Sequence, residues 1–241
     1  MIFLYDFKSD DGTLTAATSI PGFGVDNLTD TRLSRTYRSV GTDTNIVIDF
    51  GSAVVFDCIA FSHNLSATAT VTLEWHDSDA WGAPTGSLAL THTEDIIFQT
   101  FTAVTYRYAR LVIDDPANTF GQVELGRLVV GSCFNAPRVA NDLQLPRFTT
   151  TDRGFSRSRQ AYFNEGVRYR GINLQFNYVT EAEYNLFNAM YEVSDVKPIF
   201  LLFDELSNEA PMYAVVDESF DHSLVGAYGY YTLNMEITEV F

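Results

Sequence analysis

From residue 46 to residue 50 apolar and polar positions alternate. Ile46, Ile48 and Phe50 fall on one side, Val47 and Asp49 on the other. A period of two predicts a strand with one buried face, and Gly51-Ser52 is expected to end it. Further runs follow at 54–62, 70–75, 96–101, 106–113 and 123–130. They are short, rich in Val, Ile, Phe and Tyr, and separated by Gly, Asp, Asn, Ser and Pro. Several such strands without intervening helices predict a β-sandwich or barrel. Residues 77–86, with Gly82 and Pro84, read as a loop.

The pattern changes after residue 134. Residues 135–146 hold Pro137, Pro146 and two Asn, with no periodic apolar positions, and read as a linker. A strand is expected at 167–179, through Tyr169, Ile172, Leu174, Phe176 and Tyr178. Thr180-Glu181-Ala182-Glu183 then forms a capping box, in which Thr180 and Glu183 satisfy each other's backbone N–H groups. The helix that follows runs to about Tyr191, with Ala182, Leu186, Phe187 and Met190 on one face. Strands are predicted at 199–204, 212–217 and 228–240. The expectation is a mainly β chain: a β-sandwich at 1–134, a linker at 135–146, and an α+β domain with one helix at 147–241.

Aromatic residues make up 14% of the chain, which suits pleated sheets. The formal net charge is −16, and a strongly acidic surface repels nucleic acid and anionic membranes unless its positive charge is clustered. It is clustered. Residues 137–170 hold seven Arg against Asp142, Asp152 and Glu165, whereas 171–241 set only Lys197 against 12 acids. Cys58 and Cys133 lie beside apolar runs and read as buried free thiols, with a single disulfide as the alternative. No nucleophile, phosphate-loop or metal-ligand motif occurs, so no enzymatic activity and no cofactor are expected. The first residues lack the basic and long apolar regions of a signal peptide. The apolar run 199–203 is far too short to span a bilayer, so no membrane partner is expected.

Asp26-Asn27-Leu28-Thr29-Asp30, residues 46–52, Thr72-Leu73-Glu74-Trp75-His76-Asp77-Ser78, Tyr106-Arg107-Tyr108-Ala109-Arg110-Leu111 and Leu128-Val129-Val130-Gly131 occur in that order. Together they resemble the discoidin, or coagulation-factor C-type, family of galactose-binding-like jelly rolls, over residues 26–131. The resemblance implies glycan binding through loop aromatics, with His63, Asn64, His76 and Trp81 as candidates. An indole face stacks on the C–H face of a sugar while His and Asn bind hydroxyls. Trp75 alternates with Val71 and Leu73 and is expected in the core. His63-Asn64 has an alternative role in closing a turn through side-chain hydrogen bonds. The family often holds a structural calcium. Asn27, Asp30 and Glu124 remain as oxygen donors, but Gly126-Arg127 stand where a closing Glu is usual, which argues against calcium here.

The alternating strand 169–178, the capped helix, Pro198 to Asp204 and the closing strand 230–240 resemble minor tail proteins of long-tailed phages, over residues 157–240. That resemblance implies a tail-tube-like fold and a structural subunit of a distal tail or tail tip, assembled in the bacterial cytoplasm and resident in the virion. It implies a ring of three or six copies in contact with tube and tip-hub proteins, DNA passing only as cargo. Asp217, Glu218, Glu236 and Glu239 are then candidates to line the channel. Arg147, Arg153, Arg157 and Arg159, with Phe155, Tyr162 and Phe163 as apolar anchors and Arg168 and Arg170 beside them, form a candidate assembly arm. A virion adhesion protein that binds host polysaccharide is the alternative.

Overall fold

The computed structural model describes residues 1–241 except 92–94, 138–145, 156–160, 165, 195–196, 204–208, 226–228 and 241. At 152–155, 161–164, 217–221 and 225 it describes the backbone alone. The strands of the first half are β1 (Ile2–Asp6), β2 (Thr13–Ala16), β3 (Tyr37–Arg38), β4 (Asp43–His63), β5 (Thr70–His76), β6 (Gly86–Ala89), β7 (Ile96–Asp114) and β8 (Glu124–Asn135). The second half adds β9 (Arg147–Thr149), β10 (Asp152–Phe155), β11 (Ala161–Asn164), β12 (Arg168–Val179), helix α1 (Glu181–Ser194), β13 (Ile199–Leu202), β14 (Met212–Val225) and β15 (Tyr230–Glu239). The chain is mainly β with an antiparallel β-sandwich. Among the described residues no helix is long and apolar enough to cross a membrane.

By contact the chain divides into two compact units, Met1–Asn135 with Phe200–Met212, and Ala136–Ile199 with Tyr213–Val240. The first unit thus reaches beyond the contiguous stretch 1–134. The reason is β13, which pairs antiparallel with β1 through Phe3↔Leu201 and its neighbours. Most of the expected linker lies outside the described residues.

In the first unit the strands run β6-β5-β7-β4-β8-β1-β13, with β2 on β4 and β3 on β8. Alternation places Ile46, Ile48, Leu73, Leu111, Ile113 and Val130 in one apolar core. Two sequence expectations change here. Gly51 does not end a strand: at φ 76° it bends β4, which resumes pairing with β7 after a register shift between Asp49 and Val54. The runs 96–101 and 106–113 are likewise one strand. A bulge of this kind lets one strand run on, pairing again beyond the bend, where two separate strands would need a turn.

Strand β8 is buried on both faces, and Arg127 lies in its middle with no exposed surface. Its guanidinium donates to the Leu28 carbonyl at 3.3 Å and to Asp10 Oδ2 at 2.7 Å, and it lies 5.2 Å from the Phe7 ring centroid. One side chain therefore ties β8 to two 3-10 turns, Lys8–Asp11 and Val25–Thr29.

In the second unit β15 pairs with both β12 and β14, and among the described residues β10 pairs only with β11. The capping box forms as expected: Thr180 N–H donates to Glu183 Oε2 at 2.8 Å, and Glu183 N–H to Thr180 Oγ1 at 3.3 Å. The buried face of α1 is Phe187, Met190 and Ser194, not Ala182 and Leu186, which are exposed. Phe187 packs on Phe176 of β12, their ring centroids 4.7 Å apart. Tyr178 is also displaced from its expected strand face. A bulge between Phe176 and Val179 buries Val179 and leaves Tyr178 71% exposed at φ 60°.

Replacing Arg127 with Met removes the partner of a buried carboxylate. We expect a loss of about 3 kcal/mol, read as a lower urea midpoint at unchanged slope. Arg127→Met unfolding at the wild-type midpoint contradicts the stapling role.

Candidate functional site

Register decides which polar side chains meet on the first unit. His76 of β5 stands opposite Tyr108 of β7, and Tyr108 stands opposite Asp49 of β4. One step along, Glu74 stands opposite Arg110. Arg110 Nε donates to Glu74 Oε2 at 2.8 Å, and its guanidinium carbon lies 4.5 Å from the centroid of the Trp81 ring. Arg107 grips Asp49 through both oxygens, at 2.8 and 2.9 Å, and lies 4.9 Å from the Tyr108 ring centroid. The face thus carries two units of the same kind, in which a carboxylate holds an arginine and the arginine backs an aromatic ring. The fork of a guanidinium suits both contacts, bidentate to carboxylate and flat on the ring.

The loop after β5 completes the face. Trp81 Nε1–H donates to Asp79 Oδ1 at 2.6 Å, which fixes the indole of a half-buried residue. His76 and Trp81 lie edge to face, 6.5 Å between centroids. Ser78 N–H donates to His76 Nδ1 at 2.9 Å. An accepting Nδ1 leaves the hydrogen of the neutral ring on Nε2, as a donor. Trp75 faces the other way, stacked on Phe101 at 5.9 Å, and its indole leaves no room for a Cβ at Gly86.

His76 and Trp81 are therefore brought together. His63 and Asn64 are engaged elsewhere. His63 Nδ1 accepts the Leu65 N–H at 3.1 Å, while Asn64 donates to the Gln122 carbonyl at 3.2 Å and accepts the Glu124 N–H at 2.8 Å. This is the turn-closing role. Glu74, Arg107, Tyr108 and Arg110 lie in motifs that carry the discoidin resemblance but are not among the site candidates read from sequence. Their pairing across strands needs the register to be read.

Of the three residues considered for calcium, Asp30 and Glu124 have carboxylate oxygens held by arginines, and Asn27 is held through its amide nitrogen. Asn27 donates to the Thr36 carbonyl at 2.7 Å. Asp30 is gripped by Arg32 at 2.9 and 2.7 Å, which holds its carboxyl well below the usual range. Glu124 pairs with Arg38 at 3.1 Å. The cation at the opening turn is the Arg127 guanidinium, on the Leu28 carbonyl.

In the second unit Glu239 is paired with Arg170 at 2.6 Å, so both charges are used within the chain. Glu236 is exposed on β15, between buried Met235 and Ile237. Asp217 and Glu218 lie on β14, and Arg153, Phe155, Tyr162 and Phe163 lie on the β10–β11 hairpin. Arg147 and Arg168 are exposed, and Arg157 and Arg159 lie outside the described residues.

Neither a protein-family model nor a curated protein matches the chain. Solved structures similar to it include chitosan-binding module 1 from a chitosanase/glucanase of Paenibacillus sp. IK-5, at 22% identity and TM-score 0.43, covering 52% of this chain and 97% of the module. A CBM32 module of Clostridium perfringens in complex with GalNAc-β-1,3-galactose is similar at 10% identity and TM-score 0.42, over 52% of this chain and 99% of that one. A Ruminococcus gnavus GH29 fucosidase is similar at 9% identity and TM-score 0.45, over 55% of this chain but only 28% of the fucosidase.

Arg107 holds the Asp49 carboxyl down to about 2, chiefly through their hydrogen bonds. A depressed carboxylate stabilises the fold fully above its ordinary value near 3.8, and the contribution is lost as pH falls through about 2. Carboxyl carbon NMR should show Asp49 titrating near 2, and Arg107→Gln should return it towards 3.8. An Asp49 titration indifferent to Arg107 contradicts the pairing.

Proposed function

We propose that the first unit binds a hydroxyl-rich saccharide on the β5–β7–β4 face, with no catalytic step. The observation that carries this reading is the arginine-backed Trp81 ring beside the His76 Nε2 donor and the Asp79 carboxylate. Aromatic surface with a few fixed polar groups is the usual make-up of a small-ligand site. An arginine behind the ring and an aspartate on its N–H hold the indole in place before a ligand arrives, which lowers the ordering cost of binding. On a glycan array we expect the intact protein to bind a restricted set of glycans and Trp81→Ala to lose at least most of that signal. A wild-type protein that binds none, or a Trp81→Ala variant that binds equally, rejects the reading.

The β10–β11 hairpin favours a second, compatible role for the other unit. Among the described residues its two strands pair only with each other, and it lies in the arginine-rich stretch. An arm of this kind suits contact with an acidic partner, and further copies of this chain are acidic. We therefore read the second unit as the assembly module of a virion tail protein, in keeping with its sequence resemblance, with copies joined in a ring. Replacing Arg153, Arg157 and Arg159 with Ser should leave the monomer folded and reduce assembly in sedimentation, with the largest deficit at low salt, where the wild-type ion pairs are least screened. Normal assembly of that triple variant, or an unassembled wild-type protein, counts against this role.

A further inference from the structure

We propose that Asp57, Cys58 and Cys133 form a binding site for a single thiophilic divalent cation of the zinc or cadmium class. Their ligand atoms all lie within 4.8 Å of one another. Residues 57 and 58 are neighbours on one strand, and on a regular strand they would face opposite sides. Here the register slips. Phe56 stands opposite Val104 and Cys58 opposite Thr100, so two steps along β4 match four along β7. Asp57 sits in this irregularity and reaches β8, where its Oδ1 accepts the Cys133 N–H at 2.9 Å. Cys58 stands opposite Gly131 and its thiol lies 3.3 Å from the Gly131 carbonyl. The β1–β8 ladder also shifts register, between Leu4 and Asp6, beside Cys133.

The donor set decides the metal class. Two thiolates and one carboxylate suit zinc or cadmium, whereas calcium and magnesium take oxygen ligands. Zinc–sulfur bonds of about 2.3 Å in a tetrahedron place two sulfurs about 3.8 Å apart. That separation lies within the 4.8 Å that bounds the spacing of the three ligand atoms. Binding replaces both thiol protons with the metal and releases them to solvent. Three ligands leave a fourth position for water, on the side where Asp57 and Cys133 are only half-buried while Cys58 is fully buried.

The test uses the full-length protein, reduced and metal-free, titrated with cadmium ion. We expect one equivalent bound in native mass spectrometry and an ultraviolet thiolate-to-cadmium charge-transfer band that saturates at the same point, with zinc ion competing. Cys133→Ser should lose the bound equivalent. Asp57→Asn keeps an oxygen that accepts the Cys133 N–H, so it should retain the metal-free melting temperature while losing affinity. The proposal is overturned by a wild-type protein that takes up no cadmium, by uptake that survives Cys133→Ser, or by unchanged affinity in Asp57→Asn. A protein that only closes a Cys58–Cys133 disulfide on oxidation, and binds no metal when reduced, overturns it too.

Discussion

The antiparallel pairing of β4 with β7 is the constraint on which the first unit depends. It runs from Asp43↔Asp114 to Ser62↔Ile96 and breaks register twice. Each break does local work. The first, at Gly51, bends the ribbon next to Asp49, opposite which Tyr108 stands with Arg107 beside it. The second, at Asp57, turns a carboxylate towards the two thiols. Had the ladder been regular, Arg107 would point to the face opposite Tyr108, and residues 57 and 58 would point apart.

Arg127 poses the opposite problem, a charge placed where the strand is buried on both faces. Removing a guanidinium from water costs several kcal/mol, and only good geometry offsets it. Asp10 supplies the compensating charge and Leu28 a carbonyl, from two turns distant in sequence. The turn Val25–Thr29 therefore has a covalently attached cation. A side chain cannot dissociate, so this positive charge stays at the corner whatever ions are in the surroundings.

What was legible in the sequence was local. The alternation at 46–50 and the Thr180–Glu183 box each rest on residues within a few positions, and both formed as expected. Trp81 and His76 could be picked out because the discoidin resemblance points to loop aromatics, and they lie in and beside the loop at 77–86. The bulges could not be read. Gly51-Ser52 looks like a strand end from either side, and only the partner strand shows that pairing resumes. The same holds for Tyr178, which keeps the period of two in the sequence while the backbone slips by a residue. Arg110 and Glu74, or Asp57 and Cys133, become neighbours only through register, which depends on contacts between distant residues.

The return of β13 to β1 bears on how the chain matures. Strand β1 is paired on one side by β8 but waits for residues 200–202 on the other. Until those are made, a nascent first unit carries an open sheet edge of Phe3 and Leu4, both fully buried in the finished protein. Such an edge is a template for pairing with another chain. Synthesis of the second unit is thus a window of exposure, and a fragment cut at Asn135 would hold that window open.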